Sequence, residues 1–321
     1  MPTMDELRLL QALPLELKVE KTKARIREFV EHYGEDNVAV AFSGGKDSTV
    51  LLHIVREIYP NVLAVFINTG LEYPELQHFV RQFENVEIVR PTMRFDEVIK
   101  KYGYPFISKE VANCVYWAKK TKNPSRIARL TGELTDKKGE LSKYNKSKWK
   151  PLLDVDFNIS DRCCTIMKKL PAKKIHKAQI TGTMTEESIL RKTAWLKTGC
   201  NAFDSNKSSP MSFWTEQDVL RYIKQNGIEI CSIYGNIVGE SELKCTGCSR
   251  SGCIFCGFGC HLEKESRFKR LKITHPKQYD YCMSGGEYDE NGIWKPNQNG
   301  LGMAHCIDVL NKIYGKDFIK Y

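Results

Sequence analysis

The 321-residue chain lacks an apolar run long enough to cross a bilayer; its longest, such as Leu63–Ile67, have the length of a strand. Its start, Met1-Pro2-Thr3-Met4-Asp5-Glu6, has neither the basic region nor the long apolar stretch of a secretory signal, so the expectation is a cytoplasmic protein without a membrane partner. Neither Gly-x-x-x-x-Gly-Lys-Ser/Thr nor Gly-x-Gly-x-x-Gly occurs, which sets aside two common phosphate-loop patterns. The seven histidines include no i, i+4 pair, so none is assigned a metal or triad role. Internal repeats and low-complexity tracts are also missing. Acidic residues are in short supply, 39 against 49 basic ones, giving a formal charge of +10.

What is present is enough apolar residue, 41%, to bury a substantial core in one or two domains. Basic charge is concentrated between Lys119 and Lys150, with eleven Lys or Arg against Glu133, Asp136 and Glu140. This stretch reads either as a solvated insertion or flap, or as a platform for a polyanion such as nucleic acid. Twelve cysteines are many for a reducing compartment, and nine of them lie between Cys163 and Cys260. Clustering of this kind points to metal or redox chemistry rather than to a disulfide framework.

Residues 4–33 have helical spacing broken near Pro14, with Gly34 as a stop. Strand-like Val38–Phe42, helical Thr49–Tyr59, strand-like Val62–Ile67, helical Pro74–Phe83 and strand-like Val86–Val89 then alternate. Ala178–Thr181 reads as a further strand and Trp214–Gln225 as a helix. The alternation predicts an α/β fold, a parallel sheet with helices on both faces. Beyond Gly235 the periodicity fades into cysteine and glycine, which predicts a small Cys-rich metal subdomain, and Ser284–Gly302 reads as loop. The expected organisation is an N-terminal helical segment over 1–34, a nucleotide-binding α/β domain over 35–235 with its basic insertion at 119–150, and the Cys-rich subdomain over 236–321.

Between the first strand and the following helix stands Ser43-Gly44-Gly45-Lys46-Asp47-Ser48. A phosphate loop needs converging backbone amides, residues that tolerate unusual φ, and a helix start to supply positive potential. Gly44 and Gly45 permit close approach, Lys46 adds a mobile cation, and Ser43 and Ser48 add hydroxyl donors. Asp47 either caps the helix or holds Mg²⁺ through water. Lys46 and Asp47 are the candidate catalytic residues.

The loop resembles the pyrophosphate loop of the adenine-nucleotide α-hydrolase superfamily, whose members act at the α-phosphate. Within that superfamily the chain resembles the phosphoadenylyl sulfate reductase family. Asn68-Thr69-Gly70-Leu71-Glu72-Tyr73-Pro74-Glu75 is similar to its Asp-Thr-Gly-x-x-x-Pro-Glu segment. Thr181-Gly182-Thr183-Met184-Thr185-Glu186-Glu187-Ser188 is similar to its Thr-Gly-x-Arg-x-x-Glu-Ser, and Arg191 follows. Pro210, Trp214 and Asp218 fit its Pro-x-x-x-Trp-x-x-x-Asp. The resemblance implies an adenine nucleotide held by the loop together with Thr69, Gly70, Gly182 and Arg191. Met184 replaces the family's arginine, and the Glu-Cys-Gly-x-His of the sulfate-reducing members has no counterpart; His305-Cys306 is the nearest substitute.

Cys163-Cys164 with Cys253-x-x-Cys256 resembles the adenylyl sulfate reductases, in which such pairs hold a [4Fe–4S] cluster. A cubane offers a separate iron to each of two adjacent cysteines, whereas one tetrahedral zinc strains a neighbouring pair. The competing set, Cys245-x-x-Cys248 with Cys253-x-x-Cys256 and Cys260-His261 in reserve, has the look of a zinc ribbon. Three functions follow from these readings. The first is α-phosphate chemistry on ATP or an adenylylated sulfur compound linked to sulfur transfer, with a nucleic acid or a sulfur or electron donor protein as partner. The second is reduction of adenylyl sulfate or phosphoadenylyl sulfate. The third is nucleotide sensing or nucleic-acid binding without catalysis.

Overall fold

A computed structural model describes residues 1–321. The chain packs as two compact units, one made of Met1–Asn68, Glu72–Arg90 and Ala172–Ser251, the other of Thr69–Leu71, Pro91–Pro171 and Gly252–Tyr321. Because this partition is interleaved, residues 91–171 and 252–321 form one body, whereas the sequence reading had consecutive segments.

The first unit is built on six strands: β1 (Val38–Ala41), β2 (Leu63–Ile67), β3 (Val86–Val89), β4 (Ala178–Thr181), β5 (Asn201–Ala202) and β6 (Lys207–Ser208). Their spatial order is β3-β2-β1-β4-β6-β5, parallel except for the β5–β6 pair. Its helices are α1 (Met4–Gln11), α2 (Leu15–Tyr33), α3 (Lys46–Arg56), α4 (Pro74–Val80), α5 (Ile189–Thr198) and α6 (Glu216–Asn226). The central strand β1 buries Val38, Ala39 and Val40 alike, as a strand covered on both faces must. At the edge, β3 leaves Glu87 and Ile88 exposed. Ile26, Phe29 and Val30 of α2 are buried at helical spacing, and α2 ends where Gly34 takes φ +81°. Trp214 and Asp218 are core fixtures of this unit. The Trp214 indole donates to Thr22 Oγ1 at 2.9 Å, and Asp218 accepts from Lys18 Nζ at 2.6 Å, both members of that ion pair being buried. Thr215 caps α6, its hydroxyl donating to the same Asp218 carboxylate at 2.8 Å.

Two sequence expectations change in the second unit. The basic stretch is ordered rather than a bare flap: it carries a helix over Pro124–Thr131 and a tight helical turn over Ser147–Leu153. The C-terminal region holds helices over Arg267–Thr274, Pro276–Met283 and Met303–Tyr314, and Ser284–Gly302 contains a small hairpin pairing Glu287–Tyr288 with Trp294–Lys295. Buried Met303, Cys306, Ile307 and Leu310 do follow the helical period; intervening glycine-rich turns mask it in the sequence. No helix of either unit is long and apolar enough to cross a membrane.

Candidate functional site

Parallel pairing of β1 with β4, Ala41 opposite Thr181, brings two strand exits side by side. From β1 the chain turns through Ser43–Gly45 into α3; from β4 it turns through Gly182. A Cβ on Gly182 would stand 3.0 Å from the Asp47 carbonyl oxygen and 3.2 Å from its carbon, so a side chain there would push the second turn and the start of α3 apart by a few tenths of an ångström. Gly44 takes φ +71°, and a side chain there would lie 2.7 Å from Val80 Cγ2.

The loop is braced by its own serines. Ser43 N donates to Ser48 Oγ at 3.1 Å, Gly45 N to Ser43 Oγ at 3.3 Å, and Ser48 Oγ to the Gly45 carbonyl at 2.9 Å. No side chain caps the N-terminus of α3, which leaves its positive end open to a cavity of about 600 Å³. That volume falls within the range of small-molecule sites. Ser43, Gly45, Lys46, Asp47, Ser48, Gly182 and Arg191 are in its wall. Gly44 shapes the turn from behind, and Thr69 and Gly70 belong to the other unit, where Leu71 O accepts from Ile254 N at 2.8 Å.

Lys46 is buried, its ammonium 2.9 Å from Glu216 Oε1 and donating to the Ser249 carbonyl at 2.8 Å. Burial pushes the Asp47 carboxyl above its ordinary range, Lys46 opposing the shift and Glu216 adding to it, and Asp47 Oδ1 is buried without a hydrogen-bond partner. Burial also lowers the Arg191 guanidinium, as does the charge of Arg250, while Arg191 forms an ion pair with Glu187. The Tyr234 hydroxyl, pushed up to about 12 mainly by burial, donates to Ser251 Oγ at 2.7 Å. Met184 is buried, and its backbone N–H donates to Glu187 Oε1 at 3.2 Å. Glu216, Tyr234, Arg250 and Ser251 are cavity residues the sequence reading missed. No motif marks them, because they reach the loop from about 170 to 205 positions further along the chain.

In the second unit, Tyr104 N donates to the Asn158 carbonyl at 2.8 Å and Ser160 N to the Tyr104 carbonyl at 3.0 Å. Phe106–Ile107 pairs in parallel with Gly257–Phe258. A Cβ on Gly257 would lie 2.5 Å from the Phe106 ring, so glycine is required for that pairing. This ladder ties the segment preceding Cys163-Cys164 to the segment following Cys253-x-x-Cys256. Cys163 and Cys164, and the charges of Cys253 and Cys256, influence one another's protonation. A hydrogen bond between neighbours holds Cys163 protonated and lowers Cys164 to about 6, with Lys109 and Lys168 assisting and burial opposing. Burial raises Cys256 to about 11, and the charges of Cys253 and Cys164 add to this. Arg267 donates to the Cys256 carbonyl at 2.8 Å. No three His, Cys, Asp or Glu side chains converge as they would on a single ion. Cys245 and Cys248 belong to the first unit, Cys260 donates to the Gly257 carbonyl at 2.9 Å, and Cys306 is fully buried in its helix.

A mostly parallel sheet that delivers a glycine loop to an open helix N-terminus at its carboxyl edge places the protein in the α/β class whose anion-binding positions lie at that edge. The chain belongs to the phosphoadenosine phosphosulfate reductase domain family, which matches residues 37–130 and 118–258, a family of the pyrophosphate-loop superfamily. Among curated proteins it is similar to the adenosine 5'-phosphosulfate reductase of Bacillus cereus, 24% identical over 224 residues that cover 67% of this chain and 74% of that one. A Bacillus mycoides protein of the same name is 24% identical over 235 residues, 72% of this chain and 81% of its own. The crystal structure of the phosphoadenylyl-sulfate reductase of Candida auris aligns over 76% of this chain and 98% of its own, at 15% identity and a TM-score of 0.37.

Proposed function

We propose that the chain is an enzyme that binds ATP or an adenylylated sulfur compound and carries out AMP-releasing chemistry at the α-phosphate, linked to sulfur transfer. The observation that carries this reading is the buried Lys46 beside the partnerless Asp47 oxygen at an open helix N-terminus. In-line attack by an acceptor oxygen at the α-phosphorus of ATP forms an adenylylated acceptor and breaks the bond to the bridging oxygen of the leaving pyrophosphate; a sulfur nucleophile then displaces AMP from that acceptor. Lys46 and the amides of the loop stabilise the developing negative charge, and Asp47 would hold a Mg²⁺ ion through water, which would supply further charge stabilisation at the phosphates. Ser43, Gly44, Gly45, Ser48, Gly182 and Arg191 bind the nucleotide, with Thr69 and Gly70 assigned to it by the family motif. Nucleotide binding is accordingly assigned to residues 35–235 with the Ser249–Ser251 segment, and cluster chemistry to the rest of 236–321 together with Cys163-Cys164. The direct test is AMP formation from ATP by the purified protein, with and without Mg²⁺; no AMP under any condition, with nucleotide bound, would leave a sensing role.

Reduction of adenylyl sulfate is the second reading, favoured by the names of the curated relatives; it requires sulfite release with a thiol donor. A [4Fe–4S] cluster is proposed on Cys163, Cys164, Cys253 and Cys256. All four cysteines belong to one unit, as an adjacent pair and a Cys-x-x-Cys pair, and this set suits a cubane, which takes its ligands at separate corners rather than at one point. When bound it supplies electron or sulfur relay, or a fixed local charge. Iron, zinc and sulfide content after anaerobic purification, with the visible spectrum, decides between the cluster and zinc. Cys163→Ser should bleach the blue-end absorbance. The acceptor is proposed to be nucleic acid on Lys119–Lys150, where of the basic residues only Arg129 and Lys146 are ion-paired, both with Glu110. Binding there should weaken steeply with salt and disappear when Lys143, Lys146 and Lys148 become Glu.

A further inference from the structure

The segment Ser249-Arg250-Ser251 is strapped across the glycine loop. Its Ser249 carbonyl accepts from Lys46 Nζ at 2.8 Å, and its Ser251 Oγ accepts from the Tyr234 hydroxyl at 2.7 Å. A Cβ on Gly45 would stand 3.1 Å from the same Ser251 Oγ, so the strap lies against the loop backbone itself. Fixed on both sides, Arg250 extends into the wall of the cavity.

Three cations line that cavity, Lys46, Arg191 and Arg250. Two are already answered: Lys46 by Glu216 at 2.9 Å and Arg191 by Glu187. Glu186 is engaged as well, accepting the Glu216 backbone N–H at 2.8 Å. Arg250 has no carboxylate within ion-pair distance; its charge acts against that of Arg191, and the single Asp47 carboxylate in the same wall is left to offset both guanidiniums at longer range. Two guanidiniums facing one cavity repel unless an anion lies between them, and their planar forks suit tetrahedral oxyanions better than an ammonium does.

We propose that Arg250, together with Arg191, holds the outer anionic group, phosphate or sulfate, of the adenine nucleotide bound on the glycine loop. The inference rests on the nucleotide-site reading above and assigns a residue that no motif in the chain marks. It makes the site selective for nucleotides carrying a second anion over AMP.

Calorimetry on the full-length protein with AMP, ATP and adenylyl sulfate tests it. Arg250→Ala should weaken ATP and adenylyl sulfate by about tenfold or more, the worth of one charged hydrogen-bonding group, while AMP stays within about twofold. Arg250→Lys should fall between, and comparing ATP with adenylyl sulfate separates phosphate from sulfate as the recognised group. Equal weakening of all three ligands, or of none, overturns the proposal. If the wild type binds no adenine nucleotide, the nucleotide reading fails by itself, and inorganic pyrophosphate and sulfate become the probes. Weaker binding of either ion to Arg250→Ala then upholds the anion site, and equal or absent binding refutes it.

Discussion

Replacing Lys46 by Met and Glu216 by Gln should move nucleotide affinity in opposite directions. The Lys46 ammonium is buried and reaches Glu216 at 2.9 Å, whereas the Glu216 side chain is about 51% exposed. Lys46→Met removes a charge-assisted hydrogen bond to phosphate, worth about 1.5–3 kcal/mol, so the dissociation constant for ATP should rise between roughly tenfold and 150-fold. Glu216→Gln removes the competitor for the same ammonium. A half-exposed pair is screened by water and worth at most about 1 kcal/mol, so affinity should improve by no more than about fivefold. Isothermal calorimetry in low salt, with thermal melts as the folding control, reads both effects. Stability should change little in either variant, because Glu216 is free to rehydrate. Weaker ATP binding in both variants would refute the idea that Glu216 holds the place of an anion, and unchanged binding in Lys46→Met would remove Lys46 from the site.

Asp47→Asn should raise the melting temperature at pH 7. The folded-state pKa of Asp47 is raised by burial, so its contribution to stability is present below the unfolded value near 3.8 and lost as pH rises through the folded value. The advantage of the Asn variant should therefore shrink as pH falls toward 4; a pH-independent difference would contradict the burial argument. Gly182→Ala should cost about 1–3 kcal/mol in denaturant titration and weaken nucleotide binding, since the new methyl meets the Asp47 backbone at 3.0 Å. Full affinity in that variant would show that the two turns need not approach so closely. Lys18→Met should destabilise the protein by about 3–5 kcal/mol by stranding the buried Asp218 carboxylate, and adding Asp218→Asn should recover part of the loss. A double variant no better than the single one would locate the cost in packing instead.

Local features of this protein are legible in its sequence. The strand–loop–helix order around Ser43–Ser48 is one, because a short apolar β-rich run, adjacent glycines and a helical period are properties of neighbouring residues. The repeated strand–helix alternation likewise specifies a parallel sheet, since parallel strands need long crossovers. Trp214 and Asp218 are visible as a motif, but their work is not: the structure ties them to Thr22 and Lys18, about 200 residues earlier, as core fastenings. Tertiary structure alone decides which charges meet in the cavity. Glu216 reaches Lys46 and the Ser249–Ser251 strap reaches the glycine loop across chain separations that carry no periodic signal. The same holds for the placing of Cys163-Cys164 and Cys253-x-x-Cys256 in one unit, where Phe106–Ile107 pairs with Gly257–Phe258 and Gly257 has no side chain to obstruct Phe106. Backbone preference is written residue by residue and can be read along the chain. The meeting of distant side chains depends on sheet order and close packing, which exist only once the whole chain has folded.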